Sequence, residues 1–305
     1  MRNFKQKLFF MRKYSNIAMV ASFFGLWLDS YLSDKNQILL GFFFIFTFGI
    51  LHGANDLMLI KTIKSDKQVN SWQQVLLTYV VVVLFGIALF YLVPQVALLL
   101  FILVSAYHFG EQEWQQTTLP GGKWFVATFQ SIYGLLILSL LFVFHQKQVQ
   151  EIVLNICQLQ VPNEYFNLLL VIVTGLFLSF CIIIYWRDKL QIQNILKECF
   201  YIVLYAIIFK SSSLIWGFAI YFVIWHSIPS IKDQIQFLNG SYTTSHFINY
   251  CKNAFLYWLV SILGIAVIYY FFSTDEQLFN ALFFSFLAAI TFPHAAVISK
   301  MFQKT

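Results

Sequence analysis

Apolar residues run in ten long blocks, at about 15–33, 38–60, 74–93, 95–110, 124–144, 166–186, 197–210, 213–230, 254–272 and 277–298, divided by short polar and charged clusters. Several blocks approach 20 residues, enough for a helix to cross a hydrocarbon layer of roughly 30 Å. The blocks at 95–110 and 197–210 are short, and only Pro94 separates the first of these from 74–93. Proline breaks a helix, so a helical hairpin with Pro94 at its tip is expected, a single kinked segment being the alternative. The pattern predicts an all-α polytopic membrane protein of about ten transmembrane helices in one bundle.

Charge placement tests that count. With the N-terminus on the cytoplasmic side, Arg2, Lys5, Lys7, Arg12, Lys13, Lys61, Lys64, Lys67, Lys123, Arg187, Lys189, Lys197, Lys232, Lys252, Lys300 and Lys304 fall inside. Only Lys35, Lys147 and Lys210 fall outside, so 16 of the 19 basic residues obey the positive-inside rule. Deleting either short helix alone would scramble this alternation. Both termini are therefore expected in the cytoplasm, with a short basic segment at about 1–14 preceding the first helix.

Composition agrees. Hydrophobic residues make up 60% of the 305 and charged residues 10%, and the mean hydropathy is +0.73, far from the roughly one-quarter charged content of soluble domains. The net charge of +6 is explained by topology and contact with anionic headgroups, and is no argument for nucleic acid. The first block is too long for a typical signal-peptide core and lacks a convincing cleavage site, so it is read as a retained helix. Cys157, Cys181, Cys199 and Cys251 form no C-x-x-C pair and are read as packing residues. A single integral membrane domain over 1–305 is expected.

Four of the six histidines, His52, His108, His226 and His294, sit in four different apolar blocks. All four blocks run from outside to inside, which brings the histidines toward one membrane face. A lone intramembrane histidine can simply hydrogen-bond a neighbouring helix. Four at similar depth point instead to a shared metal site, because buried imidazole is costly without a partner. His52 lies nine residues before Lys61, whereas His226 and His294 lie six before Lys232 and Lys300. Its helix must tilt for the ring to join the others. His145 and His246 fall at a helix end and in a loop, and no role is assigned to them.

The surroundings add candidates. In His52-Gly53-Ala54-Asn55-Asp56 the carboxylate is four positions after the imidazole, on the same face of a continuous helix. Asp56 is expected to accept a hydrogen bond from His52 and fix its tautomer, or else to pair with a lysine at the inner end. Glu111, three residues after His108, is placed beside that imidazole in the same way. Gly53 and Gly110 leave room for a close approach by a helix or a substrate. Four imidazoles suit iron, copper, nickel or zinc, and ligand type alone does not choose among them.

The segments His52-Gly53-Ala54-Asn55-Asp56, Ser105-Ala106-Tyr107-His108-Phe109-Gly110, Trp225-His226-Ser227-Ile228-Pro229-Ser230 and Phe292-Pro293-His294 resemble, in order and context, those of the Brp/Blh family of bacterial and archaeal β-carotene 15,15′-dioxygenases. The resemblance covers roughly residues 40–300. It implies an Fe(2+) site, dioxygen as co-substrate, and cleavage of the central double bond of β-carotene to two molecules of all-trans retinal. It also implies a functional link to a microbial rhodopsin and a place in the bacterial plasma membrane. A polyene cut at its middle needs a tunnel, and Tyr107, Phe109, Trp225 and Phe292, which flank the histidines, are the expected wall.

Rival classes leave different marks. A two-haem cytochrome often carries two histidines about 13 residues apart on one helix, and no helix here does. Desaturases and hydroxylases of the di-iron kind need clustered histidine boxes, and the chain has no H-x-x-H, H-x-x-x-H or H-H. A metal or proton transporter using converging histidines stays open as the alternative, although transport sites tend toward the midplane.

Overall fold

The apolar blocks become helices because a chain that cannot reach water must pair its backbone within itself. In the computed structural model, which describes residues 2–64, 72–115, 117–272 and 276–304 (the side chains of 2–13, 64, 72, 276–281 and 284 excepted), helix is the regular structure throughout. Lys67 and the side chains of Arg2, Lys5, Lys7, Arg12, Lys13 and Lys64 lie outside the described residues.

The chain opens with α1 (Arg2–Asp29) and α2 (Asp34–Phe44), which passes into a π-helical segment at Ile45–Gly49 and resumes as α3 (Asp56–Lys64). Then come α4 (Trp72–Leu92), α5 (Pro94–Trp114), α6 (Lys123–Phe144), α7 (Gln146–Cys157), α8 (Asn163–Arg187) and α9 (Ile192–Ser211). A second composite rod joins α10 (Leu214–Ala219), a π-helical segment at Ile220–Ser227 and α11 (Ile228–Asn239). The chain closes with α12 (Thr244–Phe272) and α13 (Glu276–Phe302). Pro94 does start a new helix, at its first turn, where a missing amide costs nothing.

Among the described residues, eight rods are long and apolar enough to cross a membrane, which makes this an all-α polytopic membrane protein. The second block, 38–60, is not among them because it is no single helix: it turns at His52–Asn55 between the π-helical segment and α3. One element was absent from the hydropathy pattern altogether. The short α7 comes after α6 with a one-residue break at His145, and its Gln, Lys and Glu residues keep it below the apolar threshold.

Successive rods alternate between a basic end, which holds Lys123, Lys189 and Lys232, and a far end. At the far end Gln95 donates to the Cys157 carbonyl (3.0 Å) and Cys157 Sγ to the Pro94 carbonyl (3.4 Å), which ties α7 to the 93–94 turn. Helices α6 and α10–α11 are the most enclosed, and α12 is the most outward-facing. Helices α5 and α6 touch backbone to backbone: a Cβ on Gly110 would lie 1.8 Å from the Gln130 carbonyl oxygen, and one on Gly134 would lie 1.8 Å from that of Ala106. Only glycine permits this approach. Three indoles bridge other rods, with Trp216 Nε1 donating to Gly25 O (3.1 Å), Trp225 Nε1 to Ser22 Oγ (2.9 Å) and Trp258 Nε1 to Phe46 O (2.9 Å).

Candidate metal centre

Rods that alternate in direction bring 52, 108, 226 and 294 to one level, and their four imidazoles meet there. Ring centroids lie 4.6 Å apart for His52 and His294, 4.7 Å for His108 and His226, 5.0 Å for His108 and His294, and 5.3 Å for His52 and His226. One ring nitrogen from each of His52, His108 and His294 falls within 4.8 Å of the others, a spacing suited to a shared ion. His226 adjoins both His108 and His52 but lies outside that tightest trio. All four residues are buried.

Two devices bring the rings together that a regular helix would not. The turn at His52–Asn55 lets His52 reach the cluster without the tilt a continuous helix would demand. It is pinned by Gln234, which donates to the His52 carbonyl at 2.7 Å, and by Asn55, which donates to the Tyr250 carbonyl at 3.0 Å. The second device is the π-helix, whose extra residue per turn rotates the rest of the rod about its axis; one such segment precedes His52 and the other contains His226. The two segments pack together where Gly49 leaves space for Phe222, against which its Cβ would lie at 2.6 Å. Phe222 stacks on His226 (5.5 Å, 15°) and meets His52 edge-on (5.5 Å, 78°).

Hydrogen bonds fix two tautomers. His52 Nδ1 bonds the Gly49 carbonyl, which can only accept, so this nitrogen carries the proton. His294 Nδ1 donates to Asp56 Oδ1 at 2.8 Å, and Tyr79 donates to Oδ2 of the same carboxylate at 2.9 Å. Both rings are left with a bare Nε2. The Nε2 atoms of all four histidines, and Nδ1 of His108 as well, are buried without a hydrogen-bond partner. Such atoms are costly to leave unpaired. Neutral imidazole nitrogens converging from four helices form a donor set that fits a transition-metal ion.

Asp56 therefore serves a different histidine from the one expected. With the helix broken at His52–Asn55, the four-residue spacing no longer puts Asp56 under His52, and the carboxylate reaches across to α13. Glu111 is likewise displaced from His108: its Oε1 accepts from Tyr107 (2.6 Å) and from Ser299 (2.8 Å), so it clasps α5 to α13. Gly53 faces the His294 ring, its Cβ direction 3.6 Å from Nδ1, and Gly110 admits α6 rather than a substrate. Tyr79, Phe222 and Gln234 carried no signal in the sequence: an aromatic or amide residue in an apolar block looks like packing. His145 and His246 stay apart from the cluster, the latter bonded to the Ser241 carbonyl at 2.9 Å.

All four histidines line a cavity of about 80 Å³ that also touches Phe101, Ser105, Phe109, Phe218 and Leu287. The same five residues line an adjoining cavity of about 150 Å³, walled almost wholly by aliphatic and aromatic side chains. Of the four aromatic residues expected on the wall, Phe109 is there. Tyr107 turns to Glu111, Trp225 packs on Tyr201 and Tyr205, and Phe292 packs beside Phe90, Ala97 and Ala288.

No curated protein and no solved structure matches the chain. The profile of one family, beta-carotene 15,15′-dioxygenase, matches residues 43–302, a stretch that holds all four histidines and both cavities. The chain belongs to the beta-carotene 15,15′-dioxygenase family.

Proposed function

We propose that the protein cleaves the central double bond of β-carotene with dioxygen, giving two molecules of all-trans retinal, and that His52, His108, His226 and His294 hold one Fe(2+) for this purpose. The observation that carries the reading is the convergence of four buried imidazoles, each with an unpaired Nε2, on an apolar cavity inside the family-matched span. Iron(II) bound there supplies coordination space in which dioxygen becomes reactive toward an electron-rich alkene.

The remaining work belongs to the chain. Asp56 and the Gly49 carbonyl hold His294 and His52 in the tautomer that presents a lone pair. Phe222 fixes the planes of two rings. Phe101, Phe109, Phe218 and Leu287 give the polyene an apolar bed and keep water from it. The overall change balances without a reductant: one C=C is lost, two C=O are formed, each aldehyde receives one oxygen atom, and dioxygen takes the four electrons the two carbons give up. No protein nucleophile or general base is required.

The basic end is read as cytoplasmic, with both termini there, in the plasma membrane of a bacterium. Retinal made in that bilayer would serve a microbial rhodopsin. The test is expression in a β-carotene-accumulating bacterium and extraction of its pigments. Loss of carotene with appearance of retinal is the expected result. Unchanged carotene together with a metal-dependent growth phenotype would replace this reading with transport.

A further inference from the structure

The cleft that begins at the histidines has a direction and an end. It tracks α5 from Phe109 back through Ser105 and Phe101 to Leu98, and the composite rod from Phe218 back to Leu214, so it runs toward the far end of the bundle. His108 to Leu98 is ten residues, about 15 Å along a helix axis, comparable with one half of a carotenoid. There it meets α7, whose Val149, Ile152, Val153 and Ile156 form part of the lining, while Lys147 and Glu151 point outward.

Helix α7 is clamped at both ends. Gln146 donates to Asn167 Oδ1 (2.8 Å), Gln150 to the Val161 carbonyl (3.1 Å), and the C-terminal Cys157 is joined to the 93–94 turn. A helix held this way acts as a fixed stop rather than a swinging lid. Resting on the dioxygenase reading above, we infer that α7 is the ruler of the reaction: one ring end of the carotenoid seats against Val149 and Ile152, and the distance from there to the histidines selects which double bond is cut. This deepens that reading by assigning regiospecificity to residues of an amphipathic helix that lines the farther cavity and not the one at the histidines.

The test is a graded series at one position, Ile152→Ala, wild type, Ile152→Phe and Ile152→Trp, with Glu151→Ala on the outward face as control. Each protein is purified in detergent, checked by size-exclusion chromatography and bound iron, and given β-carotene; products are separated by chain length. Wild type and Glu151→Ala should give equal halves. A filled stop should push the polyene back, so that Ile152→Trp yields an unequal pair of apocarotenals whose carbons sum to those of the parent. The ratio of unequal to equal products should rise at least about tenfold, which corresponds to about 1.4 kcal/mol between two seatings.

Equal halves from every folded member would overturn the ruler and leave the dioxygenase reading standing. Absence of cleavage by wild type would instead remove the reading beneath it. If Ile152→Trp does not fold, Ile152→Phe and Val149→Phe carry the same test. A folded Ile152→Trp that is inactive on β-carotene should still cleave an apocarotenoid shortened at one end, and inactivity toward both also overturns the proposal.

Discussion

Asp56 and His294 are 238 residues apart in sequence and joined by a 2.8 Å hydrogen bond at the histidine cluster. The bond links the first residue of α3 to the middle of α13, and Tyr79 of α4 holds the other carboxylate oxygen. An imidazole that gives its Nδ1 proton to a carboxylate is both oriented and made a better donor at Nε2.

Removing the charge while keeping an acceptor, Asp56→Asn, should therefore lower metal affinity or turnover roughly 10–100-fold, the usual range for a residue that positions a ligand. Asp56→Leu should be worse, since it leaves the Nδ1 proton buried without an acceptor. In a His294→Ala background the same change should add little further loss of bound iron. Iron content and retinal formation measured on the same preparations check this, and wild-type turnover per iron in Asp56→Leu would end the assignment.

Replacing any of His52, His108, His226 or His294 by Ala should sharply reduce bound iron, with about one iron per chain in wild type. His145→Ala and His246→Ala should leave both iron and activity unchanged. Stripping with a chelator should abolish cleavage and readdition of Fe(2+) should restore it. Normal iron in His294→Ala would sink the four-histidine centre.

The π-helical segment at Ile220–Ser227 gives a deletion with a defined geometric effect. Excising Val223 should let the rod regain regular α-helix: the π-turn's extra residue is lost, the flanking helices keep roughly their phase, and the His226 ring is displaced within the turn by roughly a few tens of degrees. The expected outcome is a folded bundle with weakened metal binding. Undiminished iron affinity would mean that His226 lies outside the coordinating set.

Gly110→Ala and Gly134→Ala should each destabilise the fold, because the added methyl would sit 1.8 Å from a carbonyl oxygen of the facing helix. Overpacking of this kind costs about 1–3 kcal/mol or more. Gly175, with nothing within 4 Å of its Cβ direction, is the control; its change to Ala should be neutral or gain up to about 1 kcal/mol of helix propensity. Thermal unfolding in detergent separates the cases.

Reporter fusions at Lys35 and Lys189 should report opposite sides of the membrane, with Lys189 cytoplasmic. Matching signals would overturn the orientation drawn from the basic asymmetry.

Hydropathy reveals rods because burial in lipid is a bulk property of some twenty residues, and eight of the ten blocks and the Pro94 hairpin were legible for that reason. The same averaging hid α7, whose apolar residues occupy one side only. The histidines were legible because imidazole is rare and costly in such surroundings. Their neighbours were misassigned wherever regular α-helical spacing was assumed: the turn at His52–Asn55 sends Asp56 to His294, and side chains next to a histidine in sequence, such as Tyr107 and Trp225, point away from it around the helix. The turn cannot be read from residue type, since the hydrogen bonds that stabilise it come from Gln234 and Tyr250, far along the chain.

The chain positions of the four imidazoles also make the centre a late product of assembly. Its parts come from the second block and from the last helix, so a nascent chain halted before α13 has no such centre to offer. A metal ion held by these rings would clasp the His52 turn, α5 and the composite rod to α13, and its binding energy would add to the stability of the whole rather than of one segment. Occupancy would then report that α13 had joined the bundle, and a cell short of the metal would accumulate chains in which α13 is the first helix to come loose.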